Sequence, residues 1–319
     1  MSGWEAVVPY EGNSPYCYSN ALRMCLETWR ASESPWPSVG VLETLSTMPF
    51  GVFLQPSPAG PKLFFSPLSV DPDLGLERAV DSLGARWRTE HPPGPVQARG
   101  LLRRALEEGP VLAGPLDMSS LPYHPGHEQL RGVDHYVVIT GLEGDRIRIQ
   151  DPGGYPEMIL PQGTFFEAWR AEGIPFPHHP YTFRWELRRT LVPSPEEIFQ
   201  RALPRIVETV RMDPGERAVP VGPRALREAA EAFRQGPISP GMASFHARFA
   251  FPLGARRSAD AAVFLRRFGL AAGADLLGQK ARLLGEAGYA LSLSDGPEVA
   301  RTLDALASVE ERLRSALSA

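Results

Sequence analysis

Two thiols and seven imidazoles are the groups in this chain best suited to nucleophilic and acid–base chemistry. Cys17 follows the turn-like run Asn13-Ser14-Pro15-Tyr16 and opens an apolar periodic segment that continues to Arg30. The pattern predicts a helix with Cys17 at its start and Cys25 inside it, on one face with Leu22, Leu26 and Trp29. The two positions imply different chemistry. A thiol at a helix start meets the positive end of the macrodipole and the N–H groups of the first turn, both of which favour the nucleophilic thiolate. A cysteine on an apolar helical face is a small hydrophobe. Cys17 is therefore the candidate nucleophile, and the N–H groups around it are suited to holding an oxyanion.

A thiolate needs a base, and the histidine of such a pair is distant in sequence. His135 is the best placed, because it opens the strongly apolar run Tyr136 to Ile139, which core packing pins as a strand. A rigid strand end presents an imidazole more reproducibly than a loop does. Asp145-Arg-Ile-Arg-Ile-Gln150 alternates as a second strand, and Leu142-Glu-Gly-Asp145 supplies the turn of a hairpin. Asp151 then follows the end of one strand beside the start of the other, since those ends are neighbours in an antiparallel pair. Its carboxylate is positioned to accept the second imidazole N–H and so select tautomer and orientation. Taken singly, Cys17 is as easily an inert cysteine, His135 a satisfied strand-end histidine and Asp151-Pro152 a turn. Their joint placement is what points to a Cys17, His135, Asp151 set.

The elements that must position these groups form a mixed first half. Helices are predicted over 76–83 and 95–108, the latter stopped by Gly109-Pro110, and a short buried strand over 110–114. The region from Pro35 to Pro72 has no clear period and reads as loops with short elements. After Val192 helix follows helix: Ser194-Pro-Glu-Glu197 is a capping box with proline at the first helical position. Pro204 is expected to kink or split the helix it launches, and further helices are predicted over 223–235, 258–272, 274–287 and 297–318. The expected organisation is a catalytic domain over 1–191 and a helical domain over 192–319. The fold class is α+β, with cysteine on a helix and His and Asp on an antiparallel sheet, followed by an all-α domain.

This layout resembles the papain-like cysteine peptidase superfamily, where a helix carries the cysteine and the following sheet carries the histidine and the acid. His135-Tyr-Val-Val-Ile-Thr-Gly141 and Asp151-Pro152-Gly153 are similar to the His-x-x-Val-Val strand and Asp-Pro of the C39 peptidases. Tyr16-Cys17-Tyr-Ser-Asn-Ala21-Leu22 is more similar still to the start of the butirosin biosynthesis protein H type of N-terminal domain, and Glu43 and Phe50-Gly51 echo its Ser-Glu/Phe-Gly element. That family also has a helical C-terminal domain with an Arg-x-Phe-type helix, which Ala261 to Ala272 resembles in character. The chain lacks the upstream glutamine with which papain-like peptidases bind the oxyanion: Glu11, Asn13 and Ser14 occupy that region. The Asn13 amide, or the backbone N–H groups of Cys17 and Tyr18, stand as candidates in its place.

The resemblance implies acyl transfer from a thioester, such as an acylated carrier protein, to a small-molecule amine in specialised metabolism, through an acyl-Cys17 intermediate. A cysteine hydrolase (amidase, peptidase or thioesterase) shares the first half-reaction, and a non-catalytic binding or scaffold protein could inherit the same fold. A thiol and imidazole much more than ~4 Å apart would favour the last.

Composition removes other classes. The 319 residues are 43% hydrophobic and 22% charged, enough for a sizeable core, and a net charge of -4 without a basic run disfavours nucleic acid. No stretch approaches the roughly 18 apolar residues of a membrane span, and the expected location is cytoplasmic. On one helix the two cysteines would be separated by about 12 Å of rise, too far for a disulfide. No glycine-rich phosphate loop is present, so no nucleotide cofactor is expected. His124 and His127, with Asp117 and His135 nearby, suggest a zinc site only weakly, because their spacing matches no helix face. No metal is assigned, and that loop is expected to wall the active site. His178-His179, between prolines, reads as surface loop.

Overall fold

The computed structural model describes residues 8–12, 15–28, 36–211, 219–236 and 238–318. Along the chain, α1 (Cys17–Thr28) and α2 (Val39–Leu45) precede a hairpin of β1 (Phe53–Gln55) and β2 (Lys62–Phe64). Next come α3 (Pro72–Ser82), β3 (Ala85–Glu90), α4 (Pro95–Glu108) and β4 (Val111–Asp117). Strands β5 (Asp134–Glu143), β6 (Arg146–Asp151) and β7 (Tyr155–Pro161) lead into α5 (Gln162–Trp169), and β8 (Phe183–Arg189) follows. The rest is helical: α6 (Pro195–Arg211), α7 (Gly222–Gln235), α8 (Pro240–Phe245), a π-helical turn over His246–Ala250, α9 (Phe251–Arg267), α10 (Ala271–Ser292) and α11 (Gly296–Ser318). The class is mixed α+β with a helical C-terminal region. Pro204 lies inside α6, which continues past it unsplit.

The chain divides into two compact units, Met1–Val39 with Leu83–Val192 and Gly40–Ser82 with Pro193–Ala319. The cut after Val192 lies one residue from the division expected between 191 and 192. The expected first domain, 1–191, includes the segment Gly40–Ser82, which sorts with the helices.

In the first unit the described strands form a six-stranded antiparallel sheet in the order β3-β8-β4-β5-β6-β7. Every residue of β4 is buried, and so are His135 to Ile139 of β5. Both faces of these central strands are covered, which explains apolar runs where a one-faced strand would alternate. Val137 and Ile139 join Leu102 of α4 and Phe165 and Trp169 of α5 in one core cluster. The opposite face meets α1, where Tyr18 lies edge-on to Tyr136 at 6.0 Å. The predicted hairpin is present: Glu143 pairs with Arg146 and Val138 with Gln150. Gly144, at φ +57, takes the left-handed turn position that costs glycine least.

Strands β3, β7 and β8 lack a clear strand pattern in the sequence. In β3 and β8 arginines interrupt the alternation that marks a strand. They are accommodated by cross-strand stacking, Arg88 over the Trp185 ring at 5.3 Å and Arg184 over Trp87 at 5.5 Å.

The second unit has its own core, in which Leu63 and Phe65 from the β2 region pack with Leu226, Phe233, Phe251, Leu284, Leu303 and Leu306. A buried ion pair fixes the same association. Glu43 of α2 accepts from Arg257 Nε of α9 at 2.8 Å, and Arg257 also donates to the Phe65 carbonyl at 2.8 Å. A buried carboxylate without that cation would be strongly disfavoured. Among the described residues no helix is long and apolar enough to cross a membrane.

Candidate active site

Helix α1 begins at Cys17 because the preceding turn is closed by Asn20, whose backbone N–H and side-chain Nδ2 both reach the Tyr16 carbonyl, at 2.8 and 2.9 Å. Buried Tyr16 and Tyr18 flank the cysteine and anchor the helix start, leaving Cys17 itself half-buried. Cys25 is fully buried, and burial pushes its thiol pKa up, as suits a core residue. Tyr18 is the second helical residue, so its N–H belongs to the first turn, whose amides look outside the helix for partners. Asn13 lies outside the described residues.

The structure brings Cys17, His135 and Asp151 together. His135 is 4% exposed, interacts with Cys17, and its Nε2 lies 2.6 Å from Asp151 Oδ1. With Nε2 committed to the carboxylate, Nδ1 is the ring nitrogen left for the thiol. The β5–β6 register is what produces this meeting, since it sets Asp151 at the end of β6 beside the start of β5.

Asp151 is fully buried and accepts more than one imidazole. Besides His135, Oδ1 accepts from the Gly153 N–H at 2.6 Å, while Oδ2 accepts from the Tyr123 hydroxyl at 2.7 Å and from His124 Nε2 at 2.8 Å. Burial acts to raise its pKa, but the neighbouring His135 charge and the hydrogen bonds from His124 and His135 outweigh it and hold the carboxyl far below the usual range. Burial likewise acts to lower the pKa of His135. The Asp151 charge and hydrogen bond, followed by the interaction with Cys17, raise it well above the ordinary histidine value. Both effects favour an imidazolium beside an ionised carboxylate. The Tyr123 hydroxyl, buried against that carboxylate, has its pKa raised by burial and by the Asp151 charge, so it remains a donor.

His124 and Tyr123 arrive on the loop between β4 and β5, whose ends are clipped together. Asp117 accepts from the Ser119 N–H at 2.9 Å and hydroxyl at 2.7 Å, and from the Gly132 N–H. His127 Nδ1 lies 2.6 Å from the Ser119 carbonyl. His127 and Asp117 thus build the loop and stand apart from His124 in role. Among the described residues, the group whose geometry could hold a metal ion is His124, His135 and Asp151, whose ligand atoms lie within 4.8 Å of one another. Each imidazole addresses its own carboxylate oxygen, so proton donation accounts for the whole arrangement. At Gly153 a Cβ would sit 2.7 Å from His124 Cε1 and 2.9 Å from Asp151 Oδ1, so glycine is required for the close approach.

The 124–127 loop lies beside the site, as its sequence suggests, but no local pattern indicates that His124 and Tyr123 bind the acid itself. The one sequence feature that points there is the adjacency of Tyr123-His124 to a Pro-Gly turn a short distance before His135.

Fold and site together define a mixed α+β protein with a helical C-terminal region, carrying a half-exposed thiol joined through an imidazole to a buried carboxylate. Residues 216–318 match the family described as the YobF C-terminal domain. The chain is also 30% identical over 258 residues, 81% of its length and 81% of the relative's, to the Bacillus subtilis (strain 168) protein described as "Uncharacterized protein YobF". The chain belongs to the YobF family.

Proposed function

We propose that this protein is a cysteine-dependent acyltransferase, taking an acyl group from a thioester onto Cys17 and passing it to an amine. One observation carries the reading: His135, which interacts with Cys17 at the start of α1, holds its Nε2 2.6 Å from a buried carboxylate. We assign the strand-bearing unit to the papain-like plan, a helix with the nucleophile ahead of an antiparallel sheet with base and acid. The choice of a thioester donor, such as an acylated carrier protein, and a small-molecule amine acceptor rests on the resemblance to the butirosin biosynthesis protein H type. Reduced thiols suit a cytoplasmic setting.

The chemistry balances with these groups. The Cys17 thiol proton passes to His135 Nδ1, giving thiolate and imidazolium. Attack on the thioester carbonyl forms a tetrahedral oxyanion, which N–H groups of the first turn of α1, those of Cys17 and Tyr18, would stabilise. The donor thiolate leaves, taking the proton from His135. An amine then attacks acyl-Cys17, gives its proton to His135, and the amide departs as the Cys17 thiolate is regenerated. Water in place of the amine converts the same steps into hydrolysis.

The test uses a panel of acyl thioesters and intact mass. Wild type is expected to gain the acyl mass on Cys17, Cys17→Ala to gain none, and added amine to discharge the adduct as an amide. Discharge at the same rate by water alone would replace transferase by hydrolase. No adduct with any thioester, together with no preferential alkylation of Cys17 over Cys25 by iodoacetamide, would leave a non-catalytic protein.

A further inference from the structure

Asp151 holds two imidazoles, and the reaction proposed above uses one. The unused ring, His124, is 6% exposed, and its Nε2 is aimed at the same carboxylate, 2.8 Å from the oxygen that His135 does not take. The loop that carries it is clipped at both ends by Asp117, so its placement is built rather than incidental. The ring is also packed: its centroid is 4.7 Å from that of Tyr123, 4.9 Å from Tyr155 and 5.2 Å from His135.

We propose that His124 is a positioning residue that acts on Cys17 at second hand. By donating from Nε2 to Asp151 Oδ2, it holds the carboxylate in the orientation whose Oδ1 receives His135 Nε2–H. His135 Nδ1 is thereby kept facing Cys17. A carboxylate has two rotationally equivalent oxygens, and a single imidazole would leave it free to swing about its Cα–Cβ and Cβ–Cγ bonds. His124 and Tyr123 on one oxygen, with His135 and the Gly153 N–H on the other, remove that freedom.

The groups facing this carboxylate come from several elements. They are His135 of β5, Tyr123 and His124 of the β4–β5 loop, Tyr155 at the start of β7, and Tyr10, whose hydroxyl donates to the Asp151 carbonyl at 2.9 Å. Cys17 of α1 joins through His135. Apart from Asp151 and Cys17, these are phenols and imidazoles, so the side-chain donors to the Asp151 carboxylate are a hydroxyl and ring N–H groups. The inference rests on the reading of Cys17 as a nucleophile paired with His135.

The experiment is the pH profile of Cys17 alkylation by iodoacetamide in the full chain, followed by intact mass. In His124→Ala the acid limb is expected to move up by about one pH unit, lowering the rate about tenfold at a pH below the limb. His124→Gln, whose side-chain amide can donate to the carboxylate in place of Nε2, is expected to recover most of that loss. An unchanged profile in a folded His124→Ala, or a His124→Gln as slow as the alanine variant, would overturn the proposal. Nitrogen-15-labelled wild type gives a readout independent of variant folding: two slowly exchanging imidazole Nε2–H protons are expected, and a single one would refute it. If wild-type Cys17 is itself unreactive, the nucleophile reading fails. If it reacts normally and His124 makes no difference, only the present inference fails.

Discussion

A buried carboxylate is costly, and at Asp151 the cost is offset by four donors. The same carboxylate raises the pKa of His135, so removing its charge should act on the thiol two groups away. Asp151→Asn, close in shape but neutral, lets the pKa of His135 fall, because burial then goes unopposed by the charge. Less imidazolium means less paired thiolate. Alkylation of Cys17 near pH 7 is expected to slow by about tenfold or more, read by mass after timed quenching, and an unaltered rate would remove Asp151 from the site. Cys25 should stay unmodified throughout, since it is fully buried and its thiol is held protonated.

The helical unit places a different histidine where charge is unwelcome. His246 lies in the π-helical turn before α9, donating from Nδ1 to the Met242 carbonyl at 2.8 Å and accepting the Leu63 N–H of β2 on Nε2 at 3.2 Å. An imidazole that accepts on one nitrogen and donates on the other is neutral. Burial lowers its pKa to about 4, with the Lys62 charge adding to the effect and the Met242 bond opposing it. The folded value thus lies below the unfolded one of about 6.5, and the unfolded chain binds the extra proton. The contribution is present in full above pH 6.5 and is lost as pH falls from there toward 4. Its full span is about 3 kcal/mol. Thermal denaturation between pH 7 and pH 4 should therefore show Tm falling through that window, with a shallower fall in His246→Gln. Parallel slopes in the two proteins would show that His246 is not the titrating group.

Across the whole molecule, the unit boundaries make a prediction that the order of elements along the chain does not. The segment Gly40–Ser82 lies in sequence between α1 and the sheet it serves, yet sorts with Pro193–Ala319. Leu63 and Phe65 are parts of the helical core, and Glu43 neutralises buried Arg257. A fragment of residues 193–319 alone would expose the apolar positions those residues cover and strand a buried guanidinium. It is expected to keep helical far-ultraviolet dichroism but to melt without cooperativity, whereas the full chain melts cooperatively. A sharp, cooperative transition in the fragment would show that the segment is dispensable.

Local sequence was sufficient for the features that depend on neighbours along the chain. The start of α1 at Cys17, the β5–β6 hairpin with its glycine turn, and the run of helices from Pro195 all follow from periodicity and turn chemistry. The ends of that hairpin already implied that His135 and Asp151 would meet, since register fixes which strand ends are adjacent. The strands that carry arginine instead of alternating apolar residues were hidden, because their stability comes from tryptophans on a neighbouring strand. The allegiance of residues 40–82, the second imidazole on Asp151 and the pairing of Glu43 with Arg257 were decided by tertiary structure alone. Each is a contact between groups far apart in the chain, made necessary by burial of charge or apolar surface, and no pattern within a short window records where a buried group will find its partner.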